Sequence, residues 1–406
     1  MNKTIVKQCL DIDQVDVYPF SSRGNALVGQ EMFKILDSAK KLEEKGEYIY
    51  HLELGNPRFP PPPQIIDATI AALKNLNVGY VSSAGLLELR KVLAERATLL
   101  SGRCITTDHV VISTTNLLIS QFLDLTCNRG DRVALFTPAF PTYYAAIQYI
   151  GLDAVEIPLD PATGFDLTNN LIDEALAAKP KALIVNSANN PTGAIYGQEN
   201  MEYLVKRCRE QGVWILSDET YAEICYDESF YSLSGSGYSQ LIVISSFSKL
   251  FSIPGYRTGY ALAQPEVVEK FTLSNSTLIS CLPIFTQLGC VAGVMVMDSY
   301  TKKIRSHFGG LIKKCLEVID EADILFCSSP RSGFYIFLDI SRTGLNDIAF
   351  CNSLLQTRHT AVTPGSSFGV AYSNYIRVAV CGKSEDVVGG IREVLSFAHE
   401  MIEALD

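Results

Sequence analysis

Between residues 110 and 246 of this 406-residue chain, short apolar runs alternate with helix-length segments, and few folds accommodate that pattern. The apolar runs lie at 110–112, 132–136, 154–157, 182–185, 213–216 and 241–244 and are rich in Val, Ile and Leu. Segments with helical character separate them at 116–127, 143–150, 169–178 and 197–211. A strand that is apolar along its whole length, and not at every second residue, is buried on both faces. Strands of this kind alternating with helices predict an α/β fold, a mainly parallel central sheet with helices on both faces. In such a sheet the functional groups gather just beyond the carboxyl ends of the strands.

The flanking regions read differently. A helix is expected at 29–44, with Met32, Phe33, Ile35 and Leu36 on one face, and then a strand at 48–54. The turn Gly55-Asn56-Pro57-Arg58-Phe59 follows, and the proline run 60–63 reads as a rigid connector that cannot be helical. Helices are expected at 64–76 and 86–100. Beyond residue 300 a helix at 305–321, strands at 333–338 and 375–380 and a last helix at 385–405 no longer alternate strictly, which predicts a smaller α+β unit. A chain of this length has room for two domains.

Composition excludes several function classes. A net charge of −10 argues against nucleic acid or an anionic membrane as partner, since both call for a basic face. No apolar run is long enough to span a membrane. The start, Met1-Asn2-Lys3-Thr4-Ile5-Val6-Lys7 before Asp11-Ile12-Asp13, has no apolar core and reads as no secretory signal. The 11 cysteines, scattered from Cys9 to Cys381, form no Cys-x-x-Cys pair and read as thiols of a reducing cytoplasm. The 5 histidines offer no ligand spacing, so no metal site is expected.

The chemistry stands at the strand ends. The run 132–136 leads into Thr137-Pro138-Ala139-Phe140-Pro141-Thr142-Tyr143, and 182–185 into Asn186-Ser187-Ala188-Asn189-Asn190-Pro191-Thr192-Gly193. The run 213–216 leads into Ser217-Asp218-Glu219-Thr220-Tyr221, and 241–244 into Ser245-Ser246-Phe247-Ser248-Lys249, with Arg257 between two glycines beyond it. A lysine freed of its proton condenses with an aldehyde. A buried aspartate holds a pyridinium nitrogen protonated. Tyrosine and asparagine can hydrogen-bond a phenolic oxygen, an aromatic ring can stack on a flat ring, and serines with an arginine suit a phosphate. Singly, Asp218 could cap a helix, Asn190 could sit in a plain turn and Phe140 could be core; together, after successive strands, they make a set.

From about Gly29 to the carboxyl terminus the chain resembles the class I/II aminotransferases, pyridoxal-phosphate enzymes of fold type I. The segments that carry the resemblance, in order, are Leu54-Gly55-Asn56-Pro57, Tyr80 with Gly85-Leu86-Leu87-Glu88-Leu89-Arg90, and Pro138 to Tyr143. Asn189 to Gly193, Asp218 to Tyr221, Ser246 to Lys249 and Pro254-Gly255-Tyr256-Arg257-Thr258-Gly259-Tyr260 follow, then Pro364-Gly365-Ser366-Ser367-Phe368-Gly369 and Tyr375-Ile376-Arg377. The resemblance implies a large cofactor-binding domain and a smaller α+β domain formed by both termini, divided here at 1–62, 63–300 and 301–406. It implies that Lys249 forms a Schiff base with pyridoxal 5'-phosphate and moves the substrate's α-proton. It implies Asp218 on the pyridine nitrogen, Tyr221 and Asn190 at the phenolic oxygen, Phe140 stacked on the ring, and Ser246, Ser248 and Arg257 on the phosphate. Arg377 would take the substrate's α-carboxylate and Gly55 would let the amino-terminal segment approach it. Tyr80 would reach a neighbouring subunit's phosphate, which implies a homodimer with shared sites, acting on an amino acid and a 2-oxo acid in cytoplasmic amino-acid metabolism.

Two positions depart from the family pattern. Ser113-Thr114-Thr115-Asn116 stands where relatives usually carry a Thr-x-Gly-small turn, so phosphate contacts of Thr115 and Asn116 would come from a helix start without that glycine. Arg58 stands where an aspartate is usual. Among rivals, the Ser-x-x-Lys of serine β-lactamases lacks its Ser-Asp-Asn and Lys-Thr-Gly partners here, and no glycine-rich nucleotide loop follows a strand. The alternative that remains is another reaction on the same cofactor, a cyclase, eliminating lyase or oxidase of a polar or cationic amino acid. No second arginine for a dicarboxylate side chain stands out in the sequence.

Overall fold

The computed structural model describes residues 20–405 apart from 26, 28, 228 and 229. The reading of the first residues as no secretory signal, and Cys9, lie outside the described residues. Thirteen short strands are described. β1 is Tyr50–His51, and the central sheet holds β2 (Val110–Ser113), β3 (Arg132–Thr137), β4 (Asp153–Pro158), β5 (Ala182–Val185), β6 (Trp214–Asp218), β7 (Leu241–Ser246) and β8 (Gly259–Leu262). β9 (Phe326–Cys327), β10 (Tyr335–Asp339), β11 (Thr360–Ala361), β12 (Thr363–Pro364) and β13 (Tyr375–Ala379) follow.

The central sheet runs β2-β8-β7-β6-β5-β3-β4, and every pairing in it is parallel except those of β8. Alternate residues of one strand serve opposite faces, because successive side chains of a strand point apart. Ala134, Leu183, Ile215 and Val243 pack into one apolar cluster, while Val133, Ala182, Leu216 and Ile242 pack into another. Both faces are thus covered, as the unbroken apolar runs require. The order also sets β7, β6, β5 and β3 side by side, so four strand ends deliver their loops to one edge.

The terminal regions form the smaller α+β layer. β12, β13, β10 and β9 make an antiparallel sheet, and β1 from the amino-terminal region pairs in parallel with β11 from the carboxyl-terminal region. The helix Glu31–Glu43 precedes β1, and Ser384–Glu403 closes the fold. The long helix Met297–Ala322 begins earlier than its sequence pattern suggested and runs through the 300/301 position.

Three local expectations need correction. The strand expected at 48–54 is only Tyr50–His51, because beyond it the chain leaves its neighbour and gives its carbonyls to side chains: Glu53 O to Arg377 and Gly55 O to Lys249. The proline run is not wholly non-helical: Pro63 opens the helix Pro63–Lys74 at its first position, where the missing N–H costs no bond. β8 was not anticipated; four residues beginning with a glycine are too few to show a period, and the strand exists by sitting antiparallel between β2 and β7.

Candidate active site

At the carboxyl end of β7, Ser246 caps a single helical turn, Phe247–Leu250, by accepting the Ser248 N–H on its Oγ. That turn aims Lys249 into a cavity of about 400 Å³. The Lys249 ammonium donates to the Gly55 carbonyl at 2.6 Å. Burial pushes its pKa down to about 8, and the Arg377 and Arg257 charges act in the same direction while the Cys381 thiol opposes them. A lysine so placed has a usable fraction of free amine near neutral pH.

One strand over, β6 ends in Asp218, 4% exposed. Its carboxyl accepts the Tyr143 hydroxyl at 2.7 Å and the Thr220 N–H at 3.0 Å, and its own carbonyl takes the Asn186 amide at 2.9 Å. Burial raises its pKa, opposed by the Thr220 and Tyr143 hydrogen bonds. No ion pair of the described residues includes it, so the carboxyl has polar support and no cation. Tyr221 lies buried with its hydroxyl 2.8 Å from that of Tyr335. Phe140, at the end of β3, precedes the helix Pro141–Ile150 and meets Tyr143 edge-on with centroids 5.7 Å apart.

The same cavity has a wall of anion donors. Thr115 and Asn116 open the helix Thr115–Thr126, whose first amides have no partner within the helix and favour negative charge. Gly259 lets that helix start come close, since a Cβ there would fall 2.5 Å from Thr115 Oγ1. Ser246, Ser248 and the exposed Arg257, whose Nη1 is held by Pro254 O at 2.9 Å, complete the wall.

Arg377 on β13, 1% exposed, borders the same cavity. Its Nη2 donates to Glu53 O at 2.5 Å and Thr363 Oγ1 at 3.2 Å, and its Nη1 to Asn190 Oδ1 at 3.2 Å. Its charge lies 4.5 Å from the Tyr335 ring centroid and 5.0 Å from that of Phe368, and its Nε has no partner among the described residues. Gly55 admits no side chain: a Cβ would fall 1.9 Å from the Tyr335 hydroxyl oxygen. Asn190 is fixed from behind, its N–H held by Asn186 Oδ1 at 3.0 Å.

Residues 49–394 match the family model for aminotransferase class I and II. The chain belongs to the class I and II aminotransferases. It is 29% identical to a probable aspartate/prephenate aminotransferase of Aquifex aeolicus, over 94% of this chain and 99% of that one. It is 28% identical to a (5-formylfuran-3-yl)methyl phosphate transaminase of Methanocaldococcus jannaschii, over 91% of this chain and 97% of that one. Among solved structures, an aspartate aminotransferase of Thermotoga maritima superposes with a TM-score of 0.86 at 26% identity, covering 94% of this chain and all of the other. The protein is a pyridoxal-phosphate-dependent aminotransferase of fold type I.

The aminotransferase cavity fits that cofactor on its own chemistry. A buried carboxyl without a cation suits a protonated pyridine nitrogen, a lysine with a lowered pKa suits the aldehyde, and the donor wall suits a phosphate. Lys249, Asp218, Tyr221, Asn190, Phe140, Ser246, Ser248, Arg257, Thr115, Asn116, Gly55 and Arg377 all border this one space. Tyr80 does not. It is 90% exposed and lies away from the cavity of its own chain.

Sequence reasoning missed Tyr143, Asn186, Thr220 and Tyr335. The first three lie inside the strand-end segments, yet nothing in one sequence says which of their polar groups meets Asp218. Tyr335 belongs to another sheet, where every residue from Tyr335 to Leu338 is buried and no alternation marks the one that faces a cavity.

Proposed function

We propose that Lys249 carries the cofactor aldehyde and moves the α-proton of the substrate, with Arg377 binding the α-carboxylate of an amino acid and then of a 2-oxo acid. The observation that carries this reading is the meeting of Lys249, Asp218 and Arg377 around one cavity of about 400 Å³. Pyridoxal phosphate, when bound, supplies an aldehyde and an electron-withdrawing ring. Asp218 would keep the ring nitrogen protonated, and Tyr143 and Thr220 hold Asp218 in place. Tyr221 and Asn190 would hydrogen-bond its phenolic oxygen, and Phe140 would offer its ring as an aromatic wall for the cofactor. Ser246, Ser248, Arg257 and the helix start at Thr115 and Asn116 would hold the phosphate. Arg377, buried and backed by two aromatic rings, presents a fork suited to a carboxylate.

We further propose a homodimer in which Tyr80 reaches the neighbouring subunit's phosphate. Exposed apolar side chains around it, Leu76 at 79% and Val78 at 62%, support that reading, as do Ile66, Ile70 and Leu73 on the preceding helix. The division at 1–62, 63–300 and 301–406, a cytoplasmic setting and a part in amino-acid biosynthesis belong to the same proposal. No helix of the described residues is long and apolar enough to cross a membrane.

The test is Lys249→Ala. The purified protein should show cofactor absorbance near the visible edge, and the variant should lose that band and lose turnover by on the order of 10⁴-fold or more. A panel of amino acids with 2-oxoglutarate or pyruvate as acceptor should yield the matching 2-oxo acids. Release of ammonia or a cyclic product without any acceptor would defeat the transamination reading.

A further inference from the structure

Segment 53–56 passes between the two functional cations, and its backbone holds both. Gly55 O takes the Lys249 ammonium at 2.6 Å, and Glu53 O takes Arg377 Nη2 at 2.5 Å. Thr363 Oγ1 donates to the same Glu53 carbonyl at 2.8 Å. Leu54, Gly55 and Asn56 border the cavity directly. Whatever fixes this segment therefore helps to fix where the guanidinium stands, beside Thr363 and Asn190.

β1 stops at His51, so the β1–β11 ladder does not reach Glu53. The Glu53 side chain is turned inward, 1% exposed. Its Oε1 lies 2.9 Å from His51 Nδ1, and its Oε2 has no hydrogen-bond partner among the described residues. The other imidazole nitrogen, Nε2, lies 3.2 Å from Oε1 of Glu43, the last residue of the helix Glu31–Glu43. The start of that same helix gives Met32 and Phe33 to the cavity wall. One imidazole thus ties the helix that borders the substrate space to the strap that anchors Arg377.

We propose that His51 and Glu53 are positioning residues for Arg377: the imidazole, bridging Glu43 and Glu53, holds the strap whose Glu53 carbonyl fixes the guanidinium. The proposal rests on the reading of Arg377 as the α-carboxylate site. A buried carboxylate with one hydrogen bond is costly to keep unless a positive partner faces it. The charged or titratable groups around the pair are few. Glu43 comes from the helix and Cys381, whose thiol donates to Leu54 O, from beyond β13. From the β11 side His359 faces Glu47, and from the last helix Asp386 is taken by Tyr48. Arg377 lies on the far side of the Glu53 carbonyl. The two carboxylates prevail: His51 holds its proton more tightly than an ordinary histidine, chiefly through the Glu53 hydrogen bond and against the effect of burial. The clamp is complete below that raised pKa and loses its positive member as pH rises through it. Amino-donor affinity should weaken in that direction.

The holoenzyme would be titrated with L-alanine, L-glutamate and L-phenylalanine, and the strongest responder used for the variants. His51→Gln should raise KM for that donor about tenfold at pH 6 with kcat within about twofold, and should flatten the rise of KM with pH, because the bound carboxylate meets a displaced guanidinium in ground and transition state alike. His51→Lys keeps a positive charge and should keep KM low, to a higher pH than the parent. In the cofactor-free protein, NMR of the His51 ring should show Glu53→Gln moving its titration back toward the ordinary histidine range. The proposal is overturned if His51→Gln keeps the parent KM and pH dependence, if His51→Lys fails as His51→Gln does, or if the ring titration ignores Glu53→Gln. Arg377→Lys separates the two layers. If it leaves KM unmoved, the arginine reading fails and this proposal with it; if it raises KM while His51→Gln does not, only the clamp fails.

Discussion

Two cations border this cavity, held by the same short segment, and the protein treats them in opposite ways. Lys249 is held by a single carbonyl, has no carboxylate partner among the described residues, and is pushed down to about 8 by burial and by neighbouring arginine charge. Arg377 likewise has no carboxylate partner among the described residues, yet it has three oxygen acceptors and two aromatic faces. The first environment makes a positive charge easy to lose. The second keeps a permanent charge in place and leaves part of its fork free. An amine meant to react as a nucleophile needs the former, and a receptor for a carboxylate needs the latter. The difference also follows the fold, since Lys249 rides on a turn after a strand of the mainly parallel central sheet while Arg377 is locked inside a strand of the antiparallel one.

The strongest way to break this contrast is to exchange the fixed fork for a point charge. Arg377→Lys keeps the charge but not the two-pronged geometry, and should raise KM for the amino donor by about 10²-fold while leaving cofactor absorbance unchanged. A variant that binds donor normally would show that the buried guanidinium is only structural. The lysine side is tested by pH. With the cofactor-free protein, the rate of pyridoxal phosphate capture should rise about tenfold per pH unit below about 8 and level off above it, following the free-amine fraction of Lys249. A rate still climbing steeply toward pH 10 would mean that Lys249 titrates as an ordinary exposed lysine.

Much of this contrast could be read from the sequence, and the reasons it stops are physical. The unbroken apolar runs gave the parallel sheet because burial on both faces leaves no polar position, and the loop residues after β3, β5, β6 and β7 do share one edge. Lys249, Asp218 and Asn190 follow from that placement. The strap was harder to see. Residues 48–54 have strand composition, and only tertiary contacts decide that Glu53 and Gly55 give their carbonyls to side chains that lie far along the chain. His51 and Glu53, two residues apart, look like one face of a strand and acquire meaning only when Glu43 and Arg377 are brought to either side of them. Tyr80 is the opposite case, a residue that the family pattern singles out and that a single chain leaves exposed.

The smallest expected effect sharpens the comparison at the lysine end. Tyr143 donates to Asp218 at 2.7 Å from a fully buried position, and burial together with the Asp218 carboxyl holds its hydroxyl in the protonated, donating form. Thr220 supplies a second hydrogen bond to the same carboxyl, so removing one donor weakens the support of Asp218 without abolishing it. Tyr143→Phe should therefore lower kcat roughly 5- to 10-fold, the scale of one charge-assisted hydrogen bond partly compensated by its neighbour. KM for the amino donor should hardly move, because no part of the Arg377 grip passes through Tyr143. Steady-state kinetics with one donor, alongside Arg377→Lys, reads the two ends separately: a kcat loss in one variant and a KM rise in the other. If Tyr143→Phe instead raised KM as Arg377→Lys does, the two cations would belong to one coupled site with no division of labour between them.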